Sequence, residues 1–341
     1  MEQTQAPDTQ PNGQPAVEPF SLQPYEIQAQ NLFIRHPGNP LLTPADMPIP
    51  CKAVCNPAAI VINDEVLLLL RVIDNDDRSY LYVARSADGI TGWRIEPEPL
   101  LSPKVDAQWY DNIGCEDPRI TYLEDRREYA ITYVGASRYG ACVCLAVTTD
   151  FVSAQRMGVI IHPYNKDAAI MPGKFDGQYR LLHRPTAGPL EAIWMSSSSD
   201  LLHWGEPKCV LEESDKPGWD DGKVGTGPTP IEVTHGWLLI FHGVQTIENG
   251  WIYRMGMMLL DKDEPSKVVA RWPYWLMEPS QPYELSAANR AIIFPTGAFM
   301  RNEILHIYYG AGDTVVALAT IGGAGMAEFR DELTSEKLRH S

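Results

Sequence analysis

The sequence predicts an all-β protein, a five-bladed β-propeller in one domain spanning 21–341, with a disordered tail over 1–20 and a short C-terminal helix. Three observations predict it. A hairpin signal recurs five times, the turns of those hairpins are nearly evenly spaced, and no long helical period interrupts them.

Each repeat has a Pro- or Gly-marked approach, a short apolar strand, a polar turn and a second apolar strand. The first runs from Asn56-Pro57 to Ile60, turns at Asn63-Asp64 and returns along Val66 to Val72. The second starts at Asp117-Pro118-Arg119, turns at Glu124-Asp125 and returns along Tyr129 to Val134. The third covers Asp167 to Met171, turns at Asp176-Gly177 and returns along Tyr179 to His183. The fourth goes from Pro228 to Val233, turns at His235-Gly236 and returns along Trp237 to His242. The fifth goes from Phe294 to Phe299, turns at Arg301-Asn302 and returns along Ile304 to Tyr309. Turns at 63, 125, 176, 235 and 302 are 62, 51, 59 and 67 residues apart, room for four strands and their connections.

A second echo supports the repeat. Ser86-Ala87-Asp88-Gly89-Ile90 before Trp93 resembles Ser199-Asp200-Leu201-Leu202 before Trp204, and Thr148-Thr149-Asp150-Phe151 is a shorter copy, each at an outer turn. Only 327–338 reads as helical.

In a propeller the first strand of each blade lines the axis, and the second returns to the face where the first began. Residues at the head of strand one and the end of strand two therefore share a face. The pairs are Asn56 with Arg71, Asp117 with Arg138, Asp167 with Arg184, Thr229 with His242, and Thr296 with Asp313.

Composition excludes several functions. With 28 Lys and Arg against 44 Asp and Glu, the formal charge of −16 repels a nucleic-acid backbone, and no basic run with interleaved aromatics offsets it. Residues 1–19 lack the basic and apolar regions of a signal peptide, and no apolar run is long enough to span a bilayer, so a cytoplasmic location without membrane contact is expected. Six cysteines at 51, 55, 115, 142, 144 and 209 lack C-x-x-C spacing, so no metal is expected and they read as free thiols. A G-x-S-x-G nucleophile elbow is missing too.

Glu116-Asp117-Pro118-Arg119 places two carboxylates and an arginine at the predicted mouth of the axis. Pro118 restricts the backbone there. A positioned carboxylic acid suits glycoside cleavage, whereas a surface turn with an Arg–acid pair is the plainer reading. Lys166-Asp167, His183-Arg184, Lys223 and His242 form a basic cluster on the same predicted face, the composition of an anion site. Lys223 lies in Gly222-Lys223-Val224-Gly225-Thr226-Gly227, whose glycines could bring N–H groups to a phosphate, although the order is not that of a P-loop.

Taken together, Gly114-Cys115-Glu116-Asp117-Pro118-Arg119-Ile120-Thr121, Asn56-Pro57-Ala58-Ala59, Asn165-Lys166-Asp167, Leu182-His183-Arg184-Pro185 and His203-Trp204-Gly205 resemble glycoside hydrolase family 130, from about Asn39 to Thr320. That family comprises β-mannoside phosphorylases and β-mannosidases on five-bladed propellers. The resemblance implies that Asp117 is the general acid, acting through a hydroxyl of the bound mannose. Phosphate attacks the opposite face and yields α-mannose 1-phosphate with inversion. It implies phosphate binding by Lys166, Arg184, Lys223, His242 and Tyr253, and mannose contacts by Asn56, Arg71, Arg119, Asp167 and Asp313. The expected partners are a β-mannoside oligosaccharide and inorganic phosphate as co-substrate, with no cofactor and with self-association possible.

An inverting hydrolase needs a second carboxylate to hold water, while a phosphorylase holds its anionic nucleophile with cations. The retained cations favour phosphorolysis over hydrolysis, and a non-catalytic sugar-binding propeller is the alternative of another class. Linkage, β-1,4 or β-1,2, is left open.

Overall fold

Twenty-two strands carry almost all regular structure in the computed structural model, which describes residues 33–104, 109–286 and 290–322. Two 3-10 turns, Pro44–Asp46 and Pro282–Glu284, are the only helical segments among the described residues. The predicted tail over 1–20 and helix over 327–338 lie outside them.

After β1 (Ile34–Arg35), the chain forms successive antiparallel meanders. Unit one is β2 (Cys51–Ile62), β3 (Glu65–Asp74), β4 (Ser79–Ser86) and β5 (Arg94–Ile95). Unit two is β6 (Gly114–Leu123), β7 (Glu128–Ser137), β8 (Gly140–Thr148) and β9 (Gln155–Ile161). Unit three is β10 (Asn165–Ile170), β11 (Tyr179–Pro185), β12 (Ile193–Ser198) and β13 (Gly205–Leu211). In unit four, β14 (Lys223–Thr226) and β15 (Ile231–Val233) share the first position against β16 (Gly236–Ile247), followed by β17 (Gly250–Leu260) and β18 (Val268–Arg271). A short β19 (Leu285–Ser286) pairs with β20 (Arg290–Arg301), which opens unit five, continued by β21 (Ile304–Ala311) and β22 (Val315–Ile321). The fourth strand of unit five is β1, with Ile34 opposite Thr320, so a segment from near one end of the chain fastens the last unit.

Strand alternation explains how the units stack. In β3, Leu67 and Leu69 pack with Ile120, Ile131 and Tyr133 of unit two, while Val66, Leu68 and Leu70 pack with Phe299, Tyr308 and Leu318 of unit five. The same division puts Val143 and Leu145 against Ile170 and Leu181, Leu182 and Met195 against Leu239 and Phe241, and Ile240 and Met257 against Ile293 and Ile307. Five apolar layers thus separate five units in a closed order. Strands covered on both faces become continuous apolar runs such as Val66 to Leu70, and truncating one such leucine costs about 2–5 kcal/mol.

The first strands share one irregularity. The register slips between Cys55 and Ala58, Glu116 and Arg119, Lys166 and Ala169, and Pro295 and Gly297. At the first three bulges sits a residue with positive φ: Asn56 (47°), Asp117 (47°) and Asp167 (52°). Asn and Asp tolerate this conformation better than other side-chain-bearing residues, and a bulge re-aims the side chain it carries. Unit four has a gap between β14 and β15 instead of a one-residue bulge. Pro228 and Pro230, which have no N–H to donate to a ladder, lie in that gap.

The outer turns are held alike. Asp88 accepts from the N–H groups of Ile90 and Thr91 (both 2.8 Å), Asp150 from Val152 and Ser153, and Asp200 from Leu202 and His203. Asp261 does the same for Asp263 and Glu264, a copy the sequence repeat did not reveal.

Candidate active site

The first strands meet around the centre: β2 touches β6 and β20, and β10 touches β6 and β14. The bulges bring Asn56, Asp117 and Asp167 together there, all nearly inaccessible to solvent. Asp117 Oδ1 accepts from Asn56 Nδ2 (2.8 Å) and Arg71 Nη1 (2.9 Å). Arg71 also reaches Glu116 (3.0 Å) and Ser79 Oγ (3.1 Å), so one guanidinium orients both carboxylates of the acidic motif. Burial pushes the Asp117 carboxyl up, but Arg71, Arg119 and the Asn56 amide together hold it below the ordinary aspartate value. Asp313, in the turn after β21, is shifted the opposite way, by burial and by the charge of Asp117.

Asp167 joins a second set. Its Oδ2 accepts from Arg184 Nε (2.8 Å) and lies 3.5 Å from His242 Nε2. Despite burial, Arg184 holds this carboxyl well below the usual range. Lys166 stands directly opposite Arg184 across β10 and β11, and Lys223 is in register with Val244, which pairs with Tyr253. The Lys223 ammonium lies 5.5 Å from the Tyr253 ring, and that ring is 5.8 Å from His242. Burial and Arg184 lower the Lys223 pKa, while burial raises the Tyr253 phenol to about 12. Lys166 and Lys223 form no ion pair among the described residues. His242 is buried with neither ring nitrogen hydrogen-bonded, and Asn56 Oδ1 is likewise unsatisfied.

Gly225 permits this packing. A Cβ there would collide with Asp167 Oδ2 and the His242 ring. The N–H groups of Gly222 and Gly227 are bonded to the carbonyls of Val244 and Ile240, so these glycines serve close backbone approach and not a phosphate cradle.

Several predicted residues lie outside this cluster or sit in it in another state than expected. Arg119 lies behind the acidic centre with its side chain wholly buried. It donates to the carbonyls of Gly227 (2.9 Å), Thr226 (2.8 Å) and Asp117 (2.8 Å), with Asp167 at 3.6 Å. His183, expected among the cations, is bonded to Asn165 (3.1 Å) and Ser196 (3.0 Å), and burial lowers its pKa to about 4, leaving it neutral. His242 is also neutral, lowered by burial to about 3. Arg138 turns to solvent beside Tyr139. Thr229 and Thr296 donate to the carbonyls of Ile120 (2.9 Å) and Pro57 (3.0 Å), tying first strands together. Residues the sequence did not single out also gather here. Glu191 pairs with Arg184 Nη1, and Arg290 stacks on Trp251.

An ionised carboxylate held by asparagine and arginine beside cations without carboxylate partners marks an all-β protein equipped for a polar ligand together with an anion. The chain belongs to glycoside hydrolase family 130: residues 31–330 match the family described as β-1,4-mannooligosaccharide phosphorylase. A β-1,2-mannobiose phosphorylase of Listeria innocua is 37% identical over 70% of this chain, a match that spans 65% of the Listeria protein. A β-1,4-mannooligosaccharide phosphorylase of Ruminococcus albus is 30% identical over 85% of this chain and 88% of its own length. The solved structure of the Listeria innocua β-1,2-mannobiose phosphorylase in complex with β-1,2-mannobiose superposes with a TM-score of 0.78 at 30% identity, covering 88% of this chain and 99% of that one.

Proposed function

We propose that this protein is an inverting β-mannoside phosphorylase, cleaving β-1,2- or β-1,4-linked mannooligosaccharides to α-mannose 1-phosphate and the shortened sugar. The five units are the blades of a five-bladed propeller, and the site opens at one end of its axis. The observation that carries the reading is the cation set. Lys166 and Lys223, without ion pairs among the described residues, flank Arg184 and Tyr253 where an anionic nucleophile would be held.

Asp117, ionised in the free protein, takes up a proton as substrate binds and passes it through a mannose hydroxyl to the glycosidic oxygen. The proton that hydrogen phosphate loses on becoming the sugar phosphate balances the one consumed. The C1–O bond breaks as a phosphate oxygen attacks C1 from the other face. Asn56, Arg71 and Asp313 hold the mannose. Arg119 serves as a strut and not a sugar ligand, because three of its N–H groups donate to backbone carbonyls and its side chain is wholly buried. Asp167 orients Arg184, and neutral His242 offers an unspent ring nitrogen as a hydrogen-bond donor to phosphate. A charged product that membranes retain fits a cytoplasmic enzyme. Hydrolysis would need a carboxylate free to position water, and Glu191, the carboxylate beside the cations, is held by Arg184.

The reverse reaction tests inversion. α-Mannose 1-phosphate with mannose as acceptor should give a β-linked disaccharide and inorganic phosphate. Use of the β-phosphate anomer, or of neither, overturns the proposal.

A further inference from the structure

The wall that carries Lys223 and Tyr253 continues outward. Cross-strand register sets Lys223, Val244, Tyr253 and Ile292 in one row, and Thr246, Trp251 and Arg290 in the next, toward the β16–β17 turn. Trp251 and Tyr253 are two residues apart on one strand and so face the same way. Trp251 is 38% exposed, which brings this wall to solvent. Two cations share its indole. The Arg290 guanidinium lies 4.8 Å from the ring centre and the Lys223 ammonium 5.8 Å.

Arg290 forms no ion pair among the described residues. Its positive charge disfavours that of Lys223, which Glu191 and Asp167 offset only in part, and it also reaches the Asp313 carboxylate. Like charges gathered on one aromatic ring are unfavourable unless an anion comes between them. A neutral sugar needs no such pair, whereas a phosphate dianion approaching a protein of net charge −16 needs local positive potential at the rim.

We propose that Arg290, stacked on Trp251, is a further phosphate-binding residue. It is the outermost cation of a path that leads inorganic phosphate from the rim to Lys223 and Tyr253. The inference rests on the phosphorylase reading and adds a residue and a direction of approach to it. Trp251 fixes the guanidinium by its ring face and leaves the N–H edge for the anion.

The experiment compares wild type with Arg290→Met, which keeps the stem on Trp251, and Arg290→Lys, which keeps the charge. Initial rates are measured against phosphate and, separately, against mannobiose, at low and at 0.3 M salt. R290M should raise KM for phosphate about tenfold at low salt, with kcat and KM for mannobiose changed less than twofold and thermal midpoint unchanged. R290K should recover most of that affinity, and the salt dependence of wild-type kcat/KM for phosphate should flatten in R290M. An unchanged phosphate KM, or a shift confined to mannobiose KM, overturns the inference while a phosphate-dependent wild type leaves the phosphorylase reading standing. Turnover by wild type without phosphate overturns both.

Discussion

Arg71 and Arg119 both lie against Asp117, yet their surroundings give them different tasks. Arg71 holds the carboxylates of Glu116 and Asp117, whereas Arg119 spends its donors on three backbone carbonyls. Arg119→Met would strand those buried carbonyls, so it should destabilise the fold by about 3–5 kcal/mol in urea denaturation. Arg71→Lys should unfold at nearly the wild-type denaturant concentration and lose activity instead. Asp117→Asn should lower turnover by about 10³-fold while phosphate and mannose still bind by calorimetry, because the amide keeps the shape but cannot donate the acid proton. Retained turnover in D117N would remove Asp117 from the acid's role. At this scale the sequence was legible where a motif carries the residue: Asn56, Asp117, Asp167, Arg71 and Arg184 lie together, whereas Arg138, Thr229 and Thr296, placed on the same face by the repeat, do not join them. Nothing in the sequence distinguishes Arg119 as a strut from Arg119 as a ligand, since that depends on carbonyls about 107 positions away. Arg290 and Glu191 follow no pattern and reach the site only through packing.

The bulge is the element that makes this site. It lets three first strands present Asn56, Asp117 and Asp167 at one level, and its cost is a left-handed backbone at each. Asn56→Ala should therefore be less stable than Asn56→Gly by about 1 kcal/mol, since glycine relieves the φ of 47°, while both lose the amide bond to Asp117 and fall equally in activity. Equal stability of the two variants would mean that the backbone there is unstrained. Four hairpin heads were readable because the X-Pro and Asp signals mark their bulges. The fourth unit was not, because Pro228 and Pro230 split its first strand. The true head there is the β14 segment around Lys223 to Thr226, six residues before Thr229 at its start, and Thr229 binds β6 through Ile120.

For the whole molecule, closure by β1 on β22 and the five apolar layers make stability a property of the ring. Buried histidines impose a pH window on it. His183 and His242 titrate at about 4 and about 3 when folded, below the ordinary 6.5 of an unfolded chain, because burial disfavours the cation. Above pH 6.5 both states are neutral and nothing is lost. Between 6.5 and the folded values the unfolded chain binds protons that the folded one does not, so stability falls as the pH falls, by roughly 2–3 kcal/mol per histidine at pH 4.5. Asp117 and Asp167, both lowered in the fold, add a further loss below the ordinary aspartate value of 3.8. The thermal midpoint should drop steadily from pH 7 to pH 4.5, less so in His183→Gln, and a flat profile would contradict neutral burial of these rings.

The central claim is that the cations around Arg184 hold phosphate as the attacking group. It is tested most directly by incubating the protein with β-1,2- and β-1,4-mannobiose, with and without inorganic phosphate, and separating mannose 1-phosphate from free mannose. The account predicts cleavage only when phosphate is present, with one equivalent of mannose 1-phosphate per bond broken and the better substrate revealing the linkage. Free mannose released at the same rate without phosphate would contradict it and make water the nucleophile.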